Sequence, residues 1–435
     1  MDIYSYQEVF GAEDVTSTAM KSAIAEWFSL YYNDKVKNGR DPCQRIACTV
    51  VSKLVRAVFG EYSVAPKSLL TQQTMASLSR VKEQAVALTL VGGECYLKPW
   101  PDEVGFGFTL IPRNRILIFG RDDNGEPVDV GTVARSVLSG AWYTLLERRR
   151  VDENGRLTIE YRLFRSFAEN VVGEEVALSS NPFYRHLQER FTYQDIRGLG
   201  LIRVKNPMLG CVDGSADGVS VYAPAVGLIH AIDENEYQLA GEFARGESRV
   251  FLSADLLDGG KLQDNIFVGL DEDPRNLGIT LFSPQLREQS FLARKQEYLR
   301  NVESVIGIKR GLLCDANLDQ RTATEISASE TEHALTVLDF QNMWQHAVDQ
   351  TLELCAVLAK VYGRPGTIEP VQIDWGNGVL FDEEKRWADY KEMVRMGLIR
   401  PEVALGWRFG QPCETEADLA AIRKKFMPNE GQNAK

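Results

Sequence analysis

The sequence predicts an α+β fold in which helices flank a central antiparallel β region. Apolar residues recur at helical spacing near the N-terminus, alternate in the second hundred residues, and return to helical spacing after residue 220. The chain has 435 residues, 44% of them hydrophobic and 25% charged, which is typical of a globular protein with two or three structural units. Successive hairpin strands disfavour α/β barrels and doubly wound sheets.

The N-terminal part is predicted to hold two helices, over residues 16–32 and 44–59, because apolar side chains there step by three and four. From Val86 the period changes toward two, which predicts strands from that point onward. A hairpin is predicted from the alternating residues 142–151, the turn sequence DENG and a second alternating segment after it.

The middle of the chain predicts a helix, a small β region and a second helix. The first helix opens near Ser220 and the second runs over residues 283–306, each with a proline in its first turn. Residues 249–282 between them read as short strands and turns. This order favours a projecting stalk with a small tip, and the apolar side of the stalk would then need cover from neighbouring molecules.

The C-terminal third is predicted to be mostly helical. A turn-rich segment, residues 307–321, precedes a helical pattern over 322–362, which would be ~60 Å long if unbroken. A strand-like VQIDW follows, and then three helices over residues 383–396, 402–408 and 414–426. The last eight residues are expected to be disordered.

Charge and targeting signals narrow the function. The formal net charge of −12 argues against a protein whose whole surface binds nucleic acid, because Lys and Arg carry phosphate binding. The longest uncharged run has 15 residues and contains Pro224 and Gly227, too short for a transmembrane helix. The N-terminus has no secretory pattern, and seven scattered cysteines suit reduced thiols, so assembly in a cytoplasm is expected.

No catalytic, metal or cofactor motif is convincing. The segment from Asp213 resembles half of a calcium loop, but Pro224 stands where a glutamate is needed. Ser79 and Lys82 have acyl-transferase spacing without companion motifs, Cys43 and Cys48 have no further metal ligands nearby, and a P-loop is missing. The four histidines are widely separated. We therefore expect no enzyme activity, no metal and no cofactor.

Three segments in order resemble the portal proteins of tailed bacteriophages, of the siphophage type found in prophages of Gram-positive bacteria. They are SVYAPAVGLIHAIDENEYQLAGEF, RTATEISASETEHAL, and the tail FDEEKRWADYKEMVRMGLIRPEVALGWRFGQPCETEADLAAI. The similarity covers roughly residues 85–427. The family signature at the start of the long helix corresponds to Thr322, Ala323, Thr324 and Glu325. The first 60 residues match nothing in that family.

The resemblance implies a portal architecture with named parts. Residues 1–205 and 322–375 would form a mixed α/β wing, 206–245 and 283–306 a two-helix stem, and 246–282 a small β-containing clip. Residues 307–321 would be the tunnel loop, and 376–435 an α-helical crown with a disordered tail.

The resemblance also implies a virion protein at one capsid vertex. Identical subunits, usually twelve, would form a ring through which double-stranded DNA enters during packaging and leaves at infection, without sequence specificity. The partners implied are the terminase large subunit, a head–tail adaptor, and the major capsid and scaffold proteins, with no membrane contact.

The ring hypothesis gives the charged residues a possible role. A strongly basic lumen would hold DNA too tightly, so sparse cations are expected. Tunnel-loop candidates are Lys309, Arg310 and Arg321, and candidates on the second stem helix are Arg287, Arg294, Lys295 and Arg300. The same stem cations could instead pair with carboxylates of neighbouring residues.

Two other classes of protein remain open at this point. One is a cytoplasmic hydrolase with a site built from Asp and Glu residues, and the other is a non-portal virion assembly protein. The assembly protein would share the acidic composition but would not need a 15-residue turn-rich loop between two helices.

Overall fold

The computed structural model describes residues 3–32, 44–245, 249–252, 266–268, 280–282, 286–315, 323–376, 383–413 and 415–427. These residues form a mixed α and β structure, which confirms the predicted class. The chain divides into two compact units, Met1–Gly376 and Asn377–Lys435. Each unit is described by itself.

The first unit begins with four helices, α1 Gln7–Phe10, α2 Thr18–Tyr32, α3 Ile46–Phe59 and α4 Leu69–Gly92. Helices α2 and α3 confirm the prediction to within two residues. The predicted start of the strands at Val86 is wrong, because α4 continues to Gly92 and the first strand begins at Glu94. Nearly every side chain from Ala85 to Gly92 is buried, so this last part of α4 is apolar on all sides and shows no helical period.

Two antiparallel sheets follow α4. The first has the order β2-β1-β9, and the second has the order β3-β4-β5-β6-β7 with β8 also paired to β6. The strands are β1 Glu94–Pro101, β2 Phe106–Pro112, β3 Ile116–Arg121, β4 Pro127–Leu138, β5 Ala141–Val151, β6 Arg156–Ser166, β7 Glu174–Val176, β8 Arg190–Arg197 and β9 Ile202–Lys205. The predicted hairpin is confirmed, since Val151 of β5 faces Leu157 of β6.

The helix–β–helix order predicted for the middle of the chain is present. Helix α5 is Val226–Arg245 and α6 is Glu288–Ile306. Both begin later than predicted, since Pro224 lies in a short 3₁₀ turn before α5 and α6 begins at Glu288 instead of residue 283. Between them lie β10 Arg249–Leu252, β11 Ile266–Val268 and β12 Thr280–Phe282 in the order β11-β10-β12. Strand β10 pairs in parallel with β11 and antiparallel with β12.

Helix α7, Ala323–Val361, confirms the long helical pattern and spans about 58 Å at 1.5 Å per residue. The apolar side chains that step by three and four along it are all buried: Val337, Phe340, Trp344, Val348, Leu352, Cys355 and Leu358. The predicted strand after it reduces to one bridge between Ser63 and Asp374. The largest hydrophobic core joins residues of α2, α3, α4, α5, α6 and α7.

The second unit contains three helices in its described residues, α8 Glu383–Arg395, α9 Pro401–Phe409 and α10 Glu416–Phe426, as predicted. Thr415 and Asp418 form a reciprocal capping box at the start of α10. Two stacked aromatic pairs join the helices: Tyr390 and Trp407 with ring centroids 4.9 Å apart, and Phe409 and Phe426 at 4.4 Å. The last eight residues lie outside the described residues.

Candidate functional site: a helix pair and the loop that follows it

The pair formed by α5 and α6 is fixed at its base to the end of α4. The carbonyl of Leu90 accepts hydrogen bonds from the backbone N–H of Val221 at 2.9 Å and from the Ser220 hydroxyl at 3.0 Å. Gly93 has a φ of +81°, and a Cβ there would lie 2.2 Å from the backbone of Gly218. Glycine is therefore needed at this crossing, which places the start of α5 directly against the helical core.

The base of the pair is part of the chain's own core. Ile229 and Ile232 of α5 and Leu299, Val302 and Ile306 of α6 are all buried in the largest hydrophobic cluster. The expectation that the stalk would expose its apolar side for neighbours is therefore wrong for this half. The first unit itself covers it.

The far half of the pair presents more of its apolar side chains to solvent. Among the described residues, four large apolar side chains on or beside this half are at least 38% exposed: Tyr237, Phe243, Leu286 and Leu292. Val305, near the base, is 46% exposed. A single exposed apolar residue is normal on a protein surface, but several along one helix pair are typical of a contact surface.

A ladder of polar contacts joins α5 to α6. The Asn235 side chain, fully buried, donates from Nδ2 to the carbonyl of Phe291 at 3.1 Å and accepts from Nε of Arg294 at 2.7 Å. Arg294 also donates to Oε1 of Gln238 at 2.7 Å. A buried polar contact that is fully paired favours one register of two helices over others.

Two ion pairs continue this ladder. Nζ of Lys295 lies 3.0 Å from a carboxylate oxygen of Glu236, and Arg287 donates two hydrogen bonds to the carboxylate of Glu242, at 3.0 and 2.8 Å. The contacts run from 242 with 287 to 235 with 294, so the two helices are antiparallel. The guanidinium of Arg287 remains largely exposed despite its pairing.

The four stem cations predicted from the sequence thus all have partners within the chain. Arg287, Arg294 and Lys295 bind side chains of α5, and Arg300 lies 3.3 Å from Glu297 on its own helix. The structure therefore matches the alternative that these side chains pair with neighbours. Contact with DNA remains a prediction for them.

The loop after α6 is organised by Glu303, which sequence reasoning did not single out. Its carboxylate is buried and accepts hydrogen bonds from the backbone N–H groups of Gly311, Leu313 and Cys314 at 2.5–3.1 Å, and from the Cys314 thiol at 3.0 Å. Burial and this hydrogen bond raise the pKa of the Cys314 thiol, which stays protonated as a donor. One carboxylate therefore folds residues 307–314 against the end of α6.

The same end of α6 is joined to α7. Gly307 ends α6 with a φ of +76°, and its N–H donates to the Glu303 carbonyl at 3.1 Å. The Thr336 hydroxyl of α7 donates to the Gly307 carbonyl at 2.9 Å. Gly307 and Gly311 both have positive φ, which allows the turn around Glu303.

The three loop cations are placed differently from one another. Nζ of Lys309 lies 2.8 Å from a carboxylate oxygen of Glu330, and both side chains are about half exposed. Arg310 is exposed and also has an interaction partner. Arg321 and Thr322 lie outside the described residues. Ala323, Thr324 and Glu325 lie in the first turn of α7.

The motifs rejected as catalytic have structural roles. Asp213 forms a turn by accepting from the N–H of Ser215 at 3.0 Å, and Lys82 places its ammonium 4.6 Å from the ring centre of Tyr62. Among the described residues, no group of three or more His, Cys, Asp or Glu side chains could hold a metal ion. Within the same part of the chain, no helix has the length and apolar composition to cross a bilayer.

Comparison with known proteins finds similarity only among solved structures. No protein-family model and no curated protein matches the chain. A chain from the solved structure described as "Neck of native GTA particle computed with C12 symmetry" is similar, with a TM-score of 0.48 and 11% sequence identity. The similarity covers 94% of this chain and 98% of that one. Identity this low assigns neither a family nor a function.

A sequence signal for Glu303 did exist. Leu299, Val302 and Ile306 step by three and four along the buried side of α6, and Glu303 falls on the same stripe. A charged residue on an apolar helix stripe requires buried partners, since an unpaired buried charge is very costly. The partners of Glu303 depend on the conformation of the turn after α6. That turn has no periodic apolar pattern from which its conformation could be predicted.

Proposed function

We propose that this chain is the subunit of a portal-type ring, a DNA conduit at one vertex of a virus head. The observation that carries the proposal is the antiparallel pair of α5 and α6 with a small sheet between them, buried at its base and exposing apolar side chains beyond it. The order of the three segments that resemble portal proteins, with the signature at the start of α7, supports it.

The charge of the chain suits a conduit that does not hold its cargo. At −12 per subunit, a ring of identical copies would repel DNA phosphates from most of its surface. The polar ladder also neutralises cations on α6, so phosphates would meet few unpaired positive charges there. Lys309 and Arg310 would instead make weak, sequence-independent contact with phosphates, because both side chains are exposed in the turn around Glu303 and the half-exposed pair of Lys309 with Glu330 is weak enough to exchange.

The proposal includes the surrounding assembly. The β region between α5 and α6 would meet the terminase large subunit during packaging and the head–tail adaptor afterwards, and the first unit would contact the major capsid and scaffold proteins. The subunit would act in the virion after assembly in a host cytoplasm. We also propose that it catalyses no reaction, since a passive conduit needs no catalytic group.

Electron microscopy of the purified full-length protein tests this proposal. Closed rings with a central hole, twelve-fold in class averages, are the expected result. A monomer with a deep cleft would favour the hydrolase, and irregular lattices would favour a non-portal assembly protein. Either of those two outcomes would overturn the conduit.

The loop cations give a more specific test. Replacing Lys309 and Arg310 together with Ala should leave ring assembly intact, because both side chains are exposed, and should change the amount of DNA packaged per head. Packaging is measured as nuclease-protected DNA. The matched control is Lys424→Ala with Lys425→Ala, which removes the same charge from exposed positions of α10. Unchanged packaging in the loop variant would remove the role assigned to these cations.

A further inference from the structure

A large pocket lies in the first unit, away from α5 and α6. Its volume is about 1160 Å³, and it is enclosed by β5 and β6, by the segment around β8, by β1, and by the end of α7. Apolar side chains form most of the wall, among them Leu145, Leu157, Ile159, Leu354 and Leu358. A space of this size can take up several side chains of a protein segment.

The rim of the pocket is aromatic and exposed. Trp100, Phe183, Phe191 and Tyr362 all line it, and each is between 41% and 62% exposed. Buried aromatic side chains contribute strongly to protein interfaces, so an exposed group of four at one opening is typical of a contact site.

The floor of the pocket carries excess positive charge. Glu147 is the only carboxylate among the described lining residues, and two cations, Lys98 and Arg149, bind it. Burial disfavours the ionised form of Glu147, but Arg149 and Lys98 outweigh it and lower its pKa to about 2. Burial lowers the pKa of Lys98, while the carboxylate of Glu147 raises it. Two cationic side chains thus share one carboxylate next to an apolar wall, and a second carboxylate would complement them.

A complementary segment is present on the same chain, between β6 and β7. Phe167 is 78% exposed, the most exposed aromatic side chain among the described residues, and Glu169 beside it is also exposed. The guanidinium of Arg165 lies 5.6 Å from the centre of the Phe167 ring. This cation–π contact covers one face of the ring and leaves the other face to solvent.

We propose that residues 166–171 of one copy dock into this pocket of a neighbouring copy, with Phe167 among the rim aromatics and Glu169 toward Lys98 and Arg149. This inference rests on the proposed function, because it needs a ring. Ring contacts are heterologous, so a protrusion on one side of a subunit must meet a recess on the next. The contact pairs the exposed apolar and acidic segment with an apolar and positively charged pocket.

Photo-crosslinking of the full-length protein tests the contact. The photo-reactive residue p-benzoylphenylalanine replaces Phe183 at the rim, and rings are assembled from a mixture of ¹⁵N-labelled and unlabelled subunits. Mass spectrometry then identifies crosslinks between copies. We expect crosslinks from position 183 to residues 166–171 of another copy.

Every other outcome overturns the proposed docking. The outcomes differ in whether the conduit proposal fails as well. Rings in which position 183 crosslinks elsewhere, within its own copy or to nothing leave the conduit standing and remove this contact. Absence of rings in the micrographs removes the conduit and this contact together.

A matched pair of variants measures the contribution of the side chain. Phe167→Ala should lower the crosslink yield by about tenfold, the loss expected for an aromatic side chain at the centre of a contact. Val137→Ala is the control, since Val137 is also exposed, lies on β4 and does not line the pocket. Both sites are exposed, so both variants should fold. Equal yields from the two variants would contradict the proposed docking.

Discussion

The base and the far half of the α5–α6 pair differ in what stabilises them. At the base, Ile229, Ile232 and Val302 are buried in the core of the first unit, and the Glu303 carboxylate has backbone partners. In the far half, the two helices are joined through side-chain contacts such as Arg287 with Glu242, and residues such as Leu292 remain exposed. The base is thus complete within one chain, whereas the far half is not.

This difference separates folding from assembly. A change at the base should alter the stability of each subunit, because it removes contacts made within the chain. A change in the far half should leave the subunit folded and act on the contact between copies. The two effects are measurable separately, as the free energy of unfolding and as the fraction of protein in rings, provided that unfolding is followed at one fixed protein concentration.

The largest difference is expected from a matched pair of truncations, Ile232→Ala and Leu292→Ala. Ile232 is fully buried, so its truncation should lower the free energy of unfolding by about 2–5 kcal/mol through lost contacts and a cavity. Leu292 is 44% exposed, and its truncation should cost well below ~1 kcal/mol. Urea unfolding followed by tryptophan fluorescence measures both.

For ring assembly, the order of the two variants should be the reverse of their order in stability. Leu292→Ala should lower the fraction of protein in rings, whereas folded Ile232→Ala subunits should still assemble. Equal losses of stability for the two variants would show that the far half is also packed within its own chain, and the comparison between the two halves would fail.

Glu303→Gln should have the next largest effect. A glutamine keeps the size of the side chain, but its amide group brings an N–H group toward three backbone N–H donors and removes the charged acceptor. We expect a loss of about 2–3 kcal/mol, because hydrogen bonds to a charged group are the strong ones and unpaired buried donors are costly. The measurement is again urea unfolding.

Glu297→Gln is the control for this substitution, since Glu297 lies on the same helix and its pair with Arg300 is exposed. Hydrogen exchange adds a local reading: the amides of Leu313 and Cys314 should lose protection in Glu303→Gln and keep it in the control. Protection that is unchanged in both variants would mean that Glu303 does not organise the loop.

The sequence predicts elements better than it predicts their contacts. The presence of α5, α6 and α7, and the ends of α5 and α6 near residues 245 and 306, follow from apolar spacing and a stop at glycine, which are local properties. The starts of α5 and α6, which were predicted from proline positions, lie five or six residues later than predicted. The extension of α4 past Val86 could not be predicted, because a segment buried on all sides has no period. The partners of Arg294 and Lys295 depend on the register of two helices separated by about 40 residues of sequence, and no local pattern encodes that register.

The site shows the same division between local and distant information. Lys309 and Arg310 were predicted to lie in a loop, and they do, but the arrangement of that loop depends on Glu303 one turn earlier in α6. The pocket at Lys98 and Arg149 is assembled from the β5–β6 hairpin and from β1, β8 and α7, which are distant from one another in the sequence. An alternating pattern in one strand indicates which of its side chains are buried. It does not indicate which residues of other elements pack against them.

The smallest effect is expected from Arg287→Ala, at the far end of the ladder. The guanidinium is largely exposed, so water and salt screen its attraction to Glu242. The remaining attraction does little more than offset the entropy lost when two long side chains are fixed in one conformation. The urea midpoint should not differ measurably from that of the unchanged protein at low or high salt. A midpoint shift as large as that of Glu303→Gln would contradict the comparison, because the far half would then hold the subunit together as firmly as the base does.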